Sequence, residues 1–410
     1  MYWKKLSHDK ITTRVDEALS ENMSYKTKKI LGIPASYLDE EQFYDDAPFL
    51  ENSPFMKTLI ANPNHIGCHT LGEEAEPFFK GTQKIEKELI DLCAEEILGG
   101  RKAEQDGYVA PGGTEANIQA LWIYRNYFLK KHNARLDEIR VVYSKDSHYS
   151  MPKGANILNI KSIVLDVDDS ARMIVQEDLA SKITEAQKEG VKYFILVMNM
   201  STTMFGSVDD ILRVTDYFEI NNLNYKVHVD GAFGGFIYPF TNENSSYSFK
   251  NKRITSFTLD GHKMLQSPYG TGVFLIRKGF MEYALTEEAS YVQGKDYTIC
   301  GSRSGANAIA LWMILKTHGS DGLKVKMRNL SDKATSLCNR LKKLGVEYYH
   351  NPFINIVAIR GKYITPKLAT KFSLVPDTHL ATPNWYKIVV MDHVKQGVLD
   401  EFVLDLNKFN

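Results

Sequence analysis

The sequence is poor in cysteine, has no excess of charge of either sign and contains no long apolar run. Four cysteines occur in 410 residues and none forms a C-x-x-C pair, which excludes a zinc knuckle and a thioredoxin motif. Few cysteines in a long chain fit a reducing compartment. Fifty basic residues balance fifty acidic ones, and a net charge of zero speaks against a nucleic-acid partner, which usually requires a basic face.

Signals that direct a chain to a membrane are also missing. No apolar run approaches the ~18 residues of a membrane span, and the first residues, MYWKKLSHDKITTRVDEAL, lack the apolar core of a signal peptide. We therefore expect a cytoplasmic protein with no membrane partner. The fingerprints G-x-G-x-x-G and G-x-x-x-x-G-K-[ST] are absent as well, so nothing supports a Rossmann dinucleotide enzyme or a P-loop.

Strand-like and helix-like segments alternate from about residue 84 to residue 279. This order predicts an α/β fold with a mostly parallel sheet and helices on both faces. The apolar stretch FILVM is typical of a strand that is buried on both sides. The expected division is an N-terminal segment (1–60), a large α/β domain (61–300) and a small C-terminal α+β domain (301–410).

Two strands of the predicted sheet end in residues that are costly to bury. YKVHVD ends in Asp230, and ITSFTLD is followed by Gly261, His262 and Lys263. Ligands of open α/β sheets bind beyond the carboxyl ends of the strands. A buried lysine there has to be paired, neutral or covalently modified. Taken singly, the aspartate fits a turn cap equally well, and the lysine is more often one that reaches the surface.

Other polar groups follow neighbouring strands. VAPGGTEANIQAL runs through Gly113 into a helix opened by Thr114, and a helix N-terminus after glycine is a good phosphate site. RVVYSKDSHYS places His148 after a second strand, and MNMSTTMFGSVDD places hydroxyls and Asp209 after a third. Each motif alone also fits local hydrogen bonding or a helix cap.

The combination of these groups points to one cofactor. Pyridoxal 5'-phosphate requires a helix N-terminus for its phosphate, a carboxylate for its ring nitrogen and a lysine for its aldehyde. All three occur here, each after a strand of the same predicted sheet. Their joint occurrence favours a pyridoxal-phosphate site over separate structural explanations. No metal site is expected.

The motifs resemble those of the group II pyridoxal-phosphate-dependent amino acid decarboxylases. GGTEAN, HVDGAFGGF, GHK and GSRSGAN occur in the order of that family, and the archaeal-type tyrosine/aspartate decarboxylases are nearest in pattern. The resemblance implies fold type I, the fold of aspartate aminotransferase, and a homodimer with active sites at its interface. It also implies decarboxylation of an L-amino acid to an amine and CO₂, through a lysine Schiff base and a quinonoid intermediate.

The resemblance assigns roles residue by residue. Lys263 matches the Schiff-base lysine, Asp230 the acid at the ring nitrogen, and His148 the catalytic histidine stacked on the ring. Ala232 matches the residue on the opposite ring face. The remaining cofactor contacts, at the phosphate, at the cofactor oxygen and at a second acid position, fall on Gly113, Thr114, His262, Ser302, Thr203 and Asp209.

Two positions depart from the family pattern, and one assignment has an equal alternative. Ser201 stands where relatives usually have glycine, and Gly261 where many have proline or serine. The Cα proton donor of relatives lies on a loop that matches TEEASYVQGKDYTICG, in which Tyr291 is preferred over Tyr297. A tyrosine that packs at a dimer contact explains Tyr291 equally well.

The sequence leaves the substrate open. The segment NHIGCHTLGEEAEPFFKGTQ is expected to line the pocket with His65, His69 and Gln83, and Arg303 is the candidate for binding an acidic substrate. Aromatic and acidic amino acids are both compatible. Two competing functions are a carbon–carbon lyase of the sphingosine-phosphate lyase type, which the lack of a membrane anchor disfavours, and a catalytically silent cofactor-binding protein.

Overall fold

The computed structural model describes residues 29–32, 59, 63–71, 79–243, 245–285 and 295–409. Within them, the strands in chain order are β1 (Asn64–His65), β2 (Gln105–Ala110), β3 (Ile139–Ser144), β4 (Lys161–Leu165), β5 (Tyr193–Asn199), β6 (Asn224–Gly231), β7 (Ile254–Asp260), β8 (Gly272–Arg277), β9 (Arg303–Ser304), β10 (Tyr348–His350), β11 (Ile356–Arg360), β12 (Val375–Pro376) and β13 (Trp385–Val389). The α-helices are α1 (Lys80–Asp91), α2 (Gly113–His132), α3 (Ser150–Ile157), α4 (Gln176–Lys188), α5 (Ile211–Ile220), α6 (Tyr238–Thr241), α7 (Gly261–Met264), α8 (Gly305–Lys343), α9 (Pro366–Lys371) and α10 (Gln396–Phe409). A π-helical segment, Leu92–Ile97, continues α1.

The central sheet has seven strands in the order β2-β8-β7-β6-β5-β3-β4. Five adjacent strands pair in parallel, in the order β4, β3, β5, β6 and β7. Strand β8 runs antiparallel to both of its neighbours, β7 and β2. This mixed, mostly parallel sheet confirms the predicted α/β class. Its register places Asn199 beside Asp230 and Asp230 beside Thr258, so the carboxyl ends of β5, β6 and β7 meet at one edge.

Strand β5 shows why the central strands are apolar along their whole length. Phe194, Leu196 and Met198 pack into a hydrophobic cluster on one face of the sheet, and Ile195 and Val197 pack into a second cluster on the other. Helix α4 contributes to the first cluster and α2 to the second. Burial of each large apolar side chain contributes about 1.5–3 kcal/mol, so both layers hold the sheet edge in place.

Helix α2 directs its N-terminus toward this edge. It follows β2 after a short turn in which Gly112 is extended (φ 161°). It ends at Asn133, which adopts the left-handed conformation (φ 50°), with Lys130, Lys131 and His132 in its last turn. Basic residues at the C-terminal end interact favourably with the helix dipole. Because α2 begins just after the end of β2, the positive end of its dipole lies at the edge where the strands end.

A second, four-stranded antiparallel sheet lies in the C-terminal part, in the order β10-β11-β13-β12. Helix α8 has a break at Gly319 (φ 62°), where the sequence predicts the end of one helix and the start of the next. Leu31 joins this part through its main chain: its N–H donates to the carbonyl of Phe372 at 3.1 Å, and its carbonyl accepts from Val389 at 2.6 Å. The three-part division of the chain stays a prediction.

Among the helices of the described residues, none combines the length and the apolar character needed to cross a bilayer.

Candidate active site

A cavity of about 850 Å³ opens at the carboxyl edge of the central sheet. Its wall includes residues that follow β2, β3, β6 and β7. Six residues that the sequence singled out line it: Gly113, Thr114, His148, Ala232, His262 and Lys263. The topology therefore brings together groups that lie up to 150 residues apart in the chain.

Asp230 lies at the end of β6, directly behind this wall, and its side chain is buried. Its Oδ1 accepts a hydrogen bond from the backbone N–H of Ala232 at 3.1 Å, and its Oδ2 accepts one from the side-chain amide of Asn117 at 3.0 Å. Both donors belong to residues that line the cavity. Bonds of this kind to a carboxylate are stronger than neutral ones, so Asp230 is a fixed negative group at the base of the cavity.

The N-terminus of α2 opens onto the cavity through Gly113 and Thr114. A Cβ at position 113 would lie 2.9 Å from the Cβ of Ala232 and 3.2 Å from Oδ2 of Asp260. Only glycine therefore lets α2 approach β6 this closely. The first N–H groups of a helix have no partner within it, and together with the helix dipole they form a site for an anion.

Lys263 belongs to the one-turn helix α7, which begins directly after β7. The residues before it are held on two sides. Asp260 accepts from the N–H of Gly113 at 3.1 Å, and its Oδ1 lies 2.7 Å from Nδ1 of His262. The ring of His262 stacks on that of Tyr269, with 4.2 Å between the centroids. The segment that carries the Lys263 amine is thus attached both to α2 and to the loop before β8.

His148 lines the same cavity with a defined tautomer. Its Nδ1 accepts a hydrogen bond from the backbone N–H of Ser150 at 3.2 Å and lies 2.9 Å from the hydroxyl of Ser150. The proton of the neutral ring is therefore on Nε2. Burial lowers the pKa of His148 and so favours this neutral form.

Comparison with known proteins decides the family. Residues 49–358 match the pyridoxal-dependent decarboxylase conserved domain. This chain belongs to the pyridoxal-dependent decarboxylase family. It is 48% identical over 409 residues to a tryptophan decarboxylase from Clostridium sporogenes, covering 100% of this chain and 98% of that one. It is 31% identical to an L-aspartate decarboxylase from Thermococcus kodakarensis, covering 98% and 97% of the two chains.

Solved structures share the fold of this decarboxylase. A sphingosine-1-phosphate lyase from Burkholderia pseudomallei matches with a TM-score of 0.80 at 16% identity, over 100% of this chain and 91% of that one. An L-methionine decarboxylase from Streptomyces sp. 590 matches with a TM-score of 0.76 at 19% identity, over 98% and 95%. These likenesses confirm the predicted fold type I architecture.

The family and the geometry agree on the cofactor and the reaction. The protein is a pyridoxal-phosphate-dependent amino acid decarboxylase, a carboxy-lyase, as the motifs predicted. The residues that surround the cavity fit the cofactor: Lys263 supplies an amine, Asp230 a fixed carboxylate and the N-terminus of α2 an anion site. The absence of a side chain at Gly113 lets the N-terminus of α2, and with it the anion site, lie directly against Ala232 and Asp260.

Besides Asp230, three predicted residues in the described part of the decarboxylase do not line the cavity: Asp209, Thr203 and Ser302. Asp209 is buried, and its Oδ2 accepts from the backbone and side-chain N–H groups of Asn199 at 2.7 and 2.8 Å. Burial raises the pKa of Asp209 to about 7. Thr203 and Ser302 are exposed, and Tyr291 lies outside the described residues. The roles of these four residues stay predictions.

Ser201, which stands where relatives usually have glycine, adopts a backbone conformation that glycine favours. Ser201 adopts a φ of 84°, in the left-handed region that glycine enters without strain. This explains why relatives place glycine here. The serine is accommodated at a cost in backbone strain at the end of β5.

The sequence analysis did not single out three residues of the site. Asn117 donates its side-chain N–H to Asp230. Glu115 lines the cavity and accepts from the hydroxyl of Tyr108 at 3.0 Å, and burial raises its pKa to about 7. Lys387 on β13 is 7% exposed, and its Nζ donates to the carbonyl of Thr203 at 3.1 Å.

The environment of Lys387 lowers the pKa of its amine. Burial, and then the charge of Lys263, lower the pKa of Lys387 to about 8. The signal that would have found it is the one that found Lys263: a lysine inside an apolar strand, here YKIVVM.

Arg303 is engaged away from the cavity, which corrects its assignment as a ligand for an acidic substrate. Its guanidinium pairs with Glu86 and donates to the carbonyls of Gly67 and Val109. Nδ1 of His65 and Nε2 of His69 lie 2.8 and 3.2 Å from the other oxygen of Glu86.

This cluster of Arg303, Glu86, His65 and His69 is a buried ion pair with two histidines rather than a metal site, because a cation already lies on the carboxylate. Burial raises the pKa of Glu86. Arg303 and the two histidines outweigh this effect and hold the pKa of Glu86 well below its usual range. Among the described residues, neither these histidines nor the buried Gln83 lines the cavity, contrary to expectation.

Proposed function

We propose that this decarboxylase acts on an aromatic L-amino acid, with tryptophan as its preferred substrate. The relative that is 48% identical over the whole chain is a tryptophan decarboxylase. The cavity offers apolar and aromatic walls for such a side chain, including Ile118, Trp122, Tyr149, Tyr269 and Ile299. Burying an indole or phenol ring against these groups is favourable.

The charged residues around the cavity favour an aromatic substrate over an acidic one. In the part of the chain that the structure describes, the wall of the cavity contains no arginine and one lysine, Lys263. Arg303 is neutralised by Glu86. A second carboxylate on the substrate would therefore be desolvated without a cation, and it would face Glu115 and Asp296 in the wall. This cost favours a neutral aromatic side chain.

Each predicted site residue has a role in this proposal. When bound, the cofactor would take up the electron pair of the Cα–carboxylate bond, which would allow CO₂ to leave. Lys263 would bind the cofactor aldehyde, Asp230 would pair with the ring nitrogen, and Ala232 and His148 would contact the two faces of the ring. Contacts to the phosphate, the cofactor oxygen and the second acid position are assigned to Gly113, Thr114, His262, Ser302, Thr203 and Asp209. Tyr291 is assigned as the Cα proton donor.

Positioning accounts for the choice of reaction. The Nε2–H of His148 is a donor that can orient the substrate carboxylate out of the ring plane. The carboxylate of Asp230 would favour a protonated, positively charged ring nitrogen, which would help the cofactor to accept the electrons released from the substrate and so lower the barrier to bond cleavage.

We further propose a cytoplasmic homodimer. Apolar side chains beside the cavity are exposed in the single chain: Tyr149 (62%), Ile157 (62%), Tyr269 (83%) and Ile299 (45%). A second copy of the chain that covers them would also close the cavity. All four cysteines are unpaired, which fits a reducing compartment. Light scattering of the purified protein tests the dimer, and a monomer at micromolar concentration contradicts it.

A substrate panel tests the reaction. Purified protein with pyridoxal phosphate is mixed with the common L-amino acids, and amine and CO₂ are measured. We expect kcat/KM for L-tryptophan to exceed that for L-aspartate by about a hundredfold or more. A preference for aspartate contradicts the proposed substrate. Release of an aldehyde without CO₂ from a phosphorylated amino alcohol would indicate a carbon–carbon lyase instead.

A further inference from the structure

We propose that Asn117 is a positioning residue that holds Asp230 and His148 in one fixed arrangement. The inference rests on the proposed roles of those two residues at the ring nitrogen and on the ring face. Asn117 lies on α2 one turn after Gly113, so both share the helix face that opens onto the cavity. The side chain of Asn117 is 1% exposed and forms part of the cavity wall.

The orientation of the Asn117 amide is set by its neighbours. Its Nδ2 lies 3.0 Å from Oδ2 of Asp230 and 3.0 Å from Oγ of Ser150, and its Oδ1 lies 2.9 Å from Nε2 of His228. A carboxylate only accepts hydrogen bonds, so the NH₂ group has to face Asp230. The opposite orientation would place two acceptors against each other.

His228 holds the oxygen of the Asn117 side-chain amide. It is fully buried on β6, and burial lowers its pKa to about 3, so the ring is neutral. Because Oδ1 of Asn117 can only accept, the single ring proton lies on Nε2. Nδ1 then accepts from the hydroxyl of Ser256 at 2.7 Å. The hydrogen bonds therefore run in one direction, from Ser256 through His228 and Asn117 to Asp230.

The second hydrogen of the Asn117 amide connects Asn117 to His148 through Ser150. It is donated to Oγ of Ser150, which leaves the hydroxyl hydrogen of Ser150 for Nδ1 of His148 at 2.9 Å. The backbone N–H of Ser150 is a second donor to the same nitrogen. One amide thus fixes the orientation of the acid and, by directing the hydroxyl hydrogen of Ser150, reinforces the tautomer of His148 that the backbone N–H of Ser150 favours.

The variant Asn117→Asp is the sharpest test because it keeps the shape of the side chain and replaces the NH₂ donor with an acceptor. We expect the affinity for pyridoxal phosphate, measured by equilibrium binding without any amino acid, to fall about tenfold or more. The pH midpoint of the bound cofactor's visible absorption band should rise by about one unit, because an added negative charge favours the protonated form.

Asn126→Asp is the matched control on the same helix. The Nδ2 of Asn126 donates to the carbonyl of Tyr283 at 2.8 Å, away from the cavity wall. Its cofactor affinity and pH midpoint should stay within about twofold and a few tenths of a unit of the parent values. Asn117→Ser, which is shorter and uncharged, replaces Asn117→Asp if the latter does not fold. It should lose affinity without the upward shift of the midpoint.

Two results would overturn the inference. The first is parent-like cofactor affinity and pH midpoint in a position 117 variant whose melting temperature equals that of the parent. The second comes from Ser150→Ala, which keeps the bond between Asn117 and Asp230 and removes the hydroxyl that reaches His148. We expect parent-like cofactor affinity and a shifted pH profile of turnover, and an unchanged profile would remove the link to the histidine. The binding assays use no amino acid, so their failure is distinguishable from a wrong substrate.

Discussion

The backbone N–H of Gly113 donates a hydrogen bond to Oδ2 of Asp260 at 3.1 Å, across 147 residues of sequence. The bond joins the N-terminus of α2 to the end of β7, three residues before Lys263. One carboxylate therefore links the anion site to the segment that carries the amine. A rigid cofactor that is bound at both ends requires this spacing to be fixed before it arrives.

Two adjacent glycines test the close approach of α2. Gly113→Ala should weaken cofactor binding about tenfold or more, since its Cβ would lie 2.9 Å from that of Ala232. Gly112→Ala is the control: Gly112 is extended, and a Cβ there meets no heavy atom within 4 Å. Fluorescence titration with pyridoxal phosphate compares the two. Equal affinities would show that cofactor binding does not depend on the close approach of α2 at Gly113.

The amine at position 263 has a direct test. Lys263→Ala should fold, with a melting temperature close to that of the parent apoprotein, yet lose the visible absorption band of the bound cofactor and nearly all turnover. Lys250→Ala, at an exposed lysine away from the cavity, should keep both. A coloured, active Lys263→Ala protein contradicts the assignment.

His228 should make the fold sensitive to acid. Its folded pKa is about 3, below the ordinary value of 6.5. The unfolded chain takes up a proton below pH 6.5 and the folded chain does not, so stability is lost as the pH falls from about 6.5 toward 3. Between pH 7 and 5 this loss amounts to about 2 kcal/mol.

His228→Gln should abolish that part of the loss, measured by urea unfolding of the apoprotein at the two pH values. Asp209 and Glu115, whose folded pKa values of about 7 lie above the ordinary ones, gain stability as the pH falls. They act equally in parent and variant, so the difference between the two isolates His228. Parallel pH dependences in the two proteins would rule out this explanation.

The buried amine of Lys387 should lower stability at neutral pH. Its folded pKa of about 8 lies below the ordinary 10.5, so the cost is complete below pH 8 and disappears as the pH rises toward 10.5. Lys387→Met should raise the free energy of unfolding by about 1–3 kcal/mol at pH 7, and by less at pH 10. Lys371→Met, at an exposed ion pair, is the comparison. A gain that is independent of pH would point to packing rather than to charge.

The strained turn at Ser201 offers a stabilising change. Ser201→Gly should raise the free energy of unfolding by about 1 kcal/mol, since glycine adopts a φ of 84° without strain. Urea unfolding at pH 7 measures the difference. A less stable variant would mean that the hydroxyl of Ser201 contributes more than the backbone strain costs.

Local patterns were enough to predict the central strands and the polar residues at their ends. The alternation in YKVHVD and the apolar run ITSFTLD place Asp230 and Lys263 at strand ends, and a parallel sheet necessarily brings such ends to one edge. Helix boundaries were less exact: the alternation predicted to start near residue 84 starts with a helix that begins at Lys80 and passes into a π-helical segment at Leu92. Spacing alone does not report such a change of winding.

Partners that depend on tertiary contacts could not be predicted. Asn117 and Asp230 are 113 residues apart, and no periodicity connects them. Arg303 is the arginine that the sequence offers for binding an acidic substrate, yet its charge is neutralised by Glu86, 217 residues earlier. The composition shows that acids and bases are balanced in number, and only the fold decides which of them meet.

The main-chain bonds of Leu31 have a consequence for shortening this protein. The first of the family motifs, GGTEAN, begins at Gly112, and a fragment trimmed to residue 62 would retain all of them. It would nevertheless lack a buried leucine and leave the N–H of Val389 and the carbonyl of Phe372 without their partners. Leu31 therefore helps to seal the C-terminal sheet, and a protein shortened in this way would expose the apolar side chains that this leucine covers.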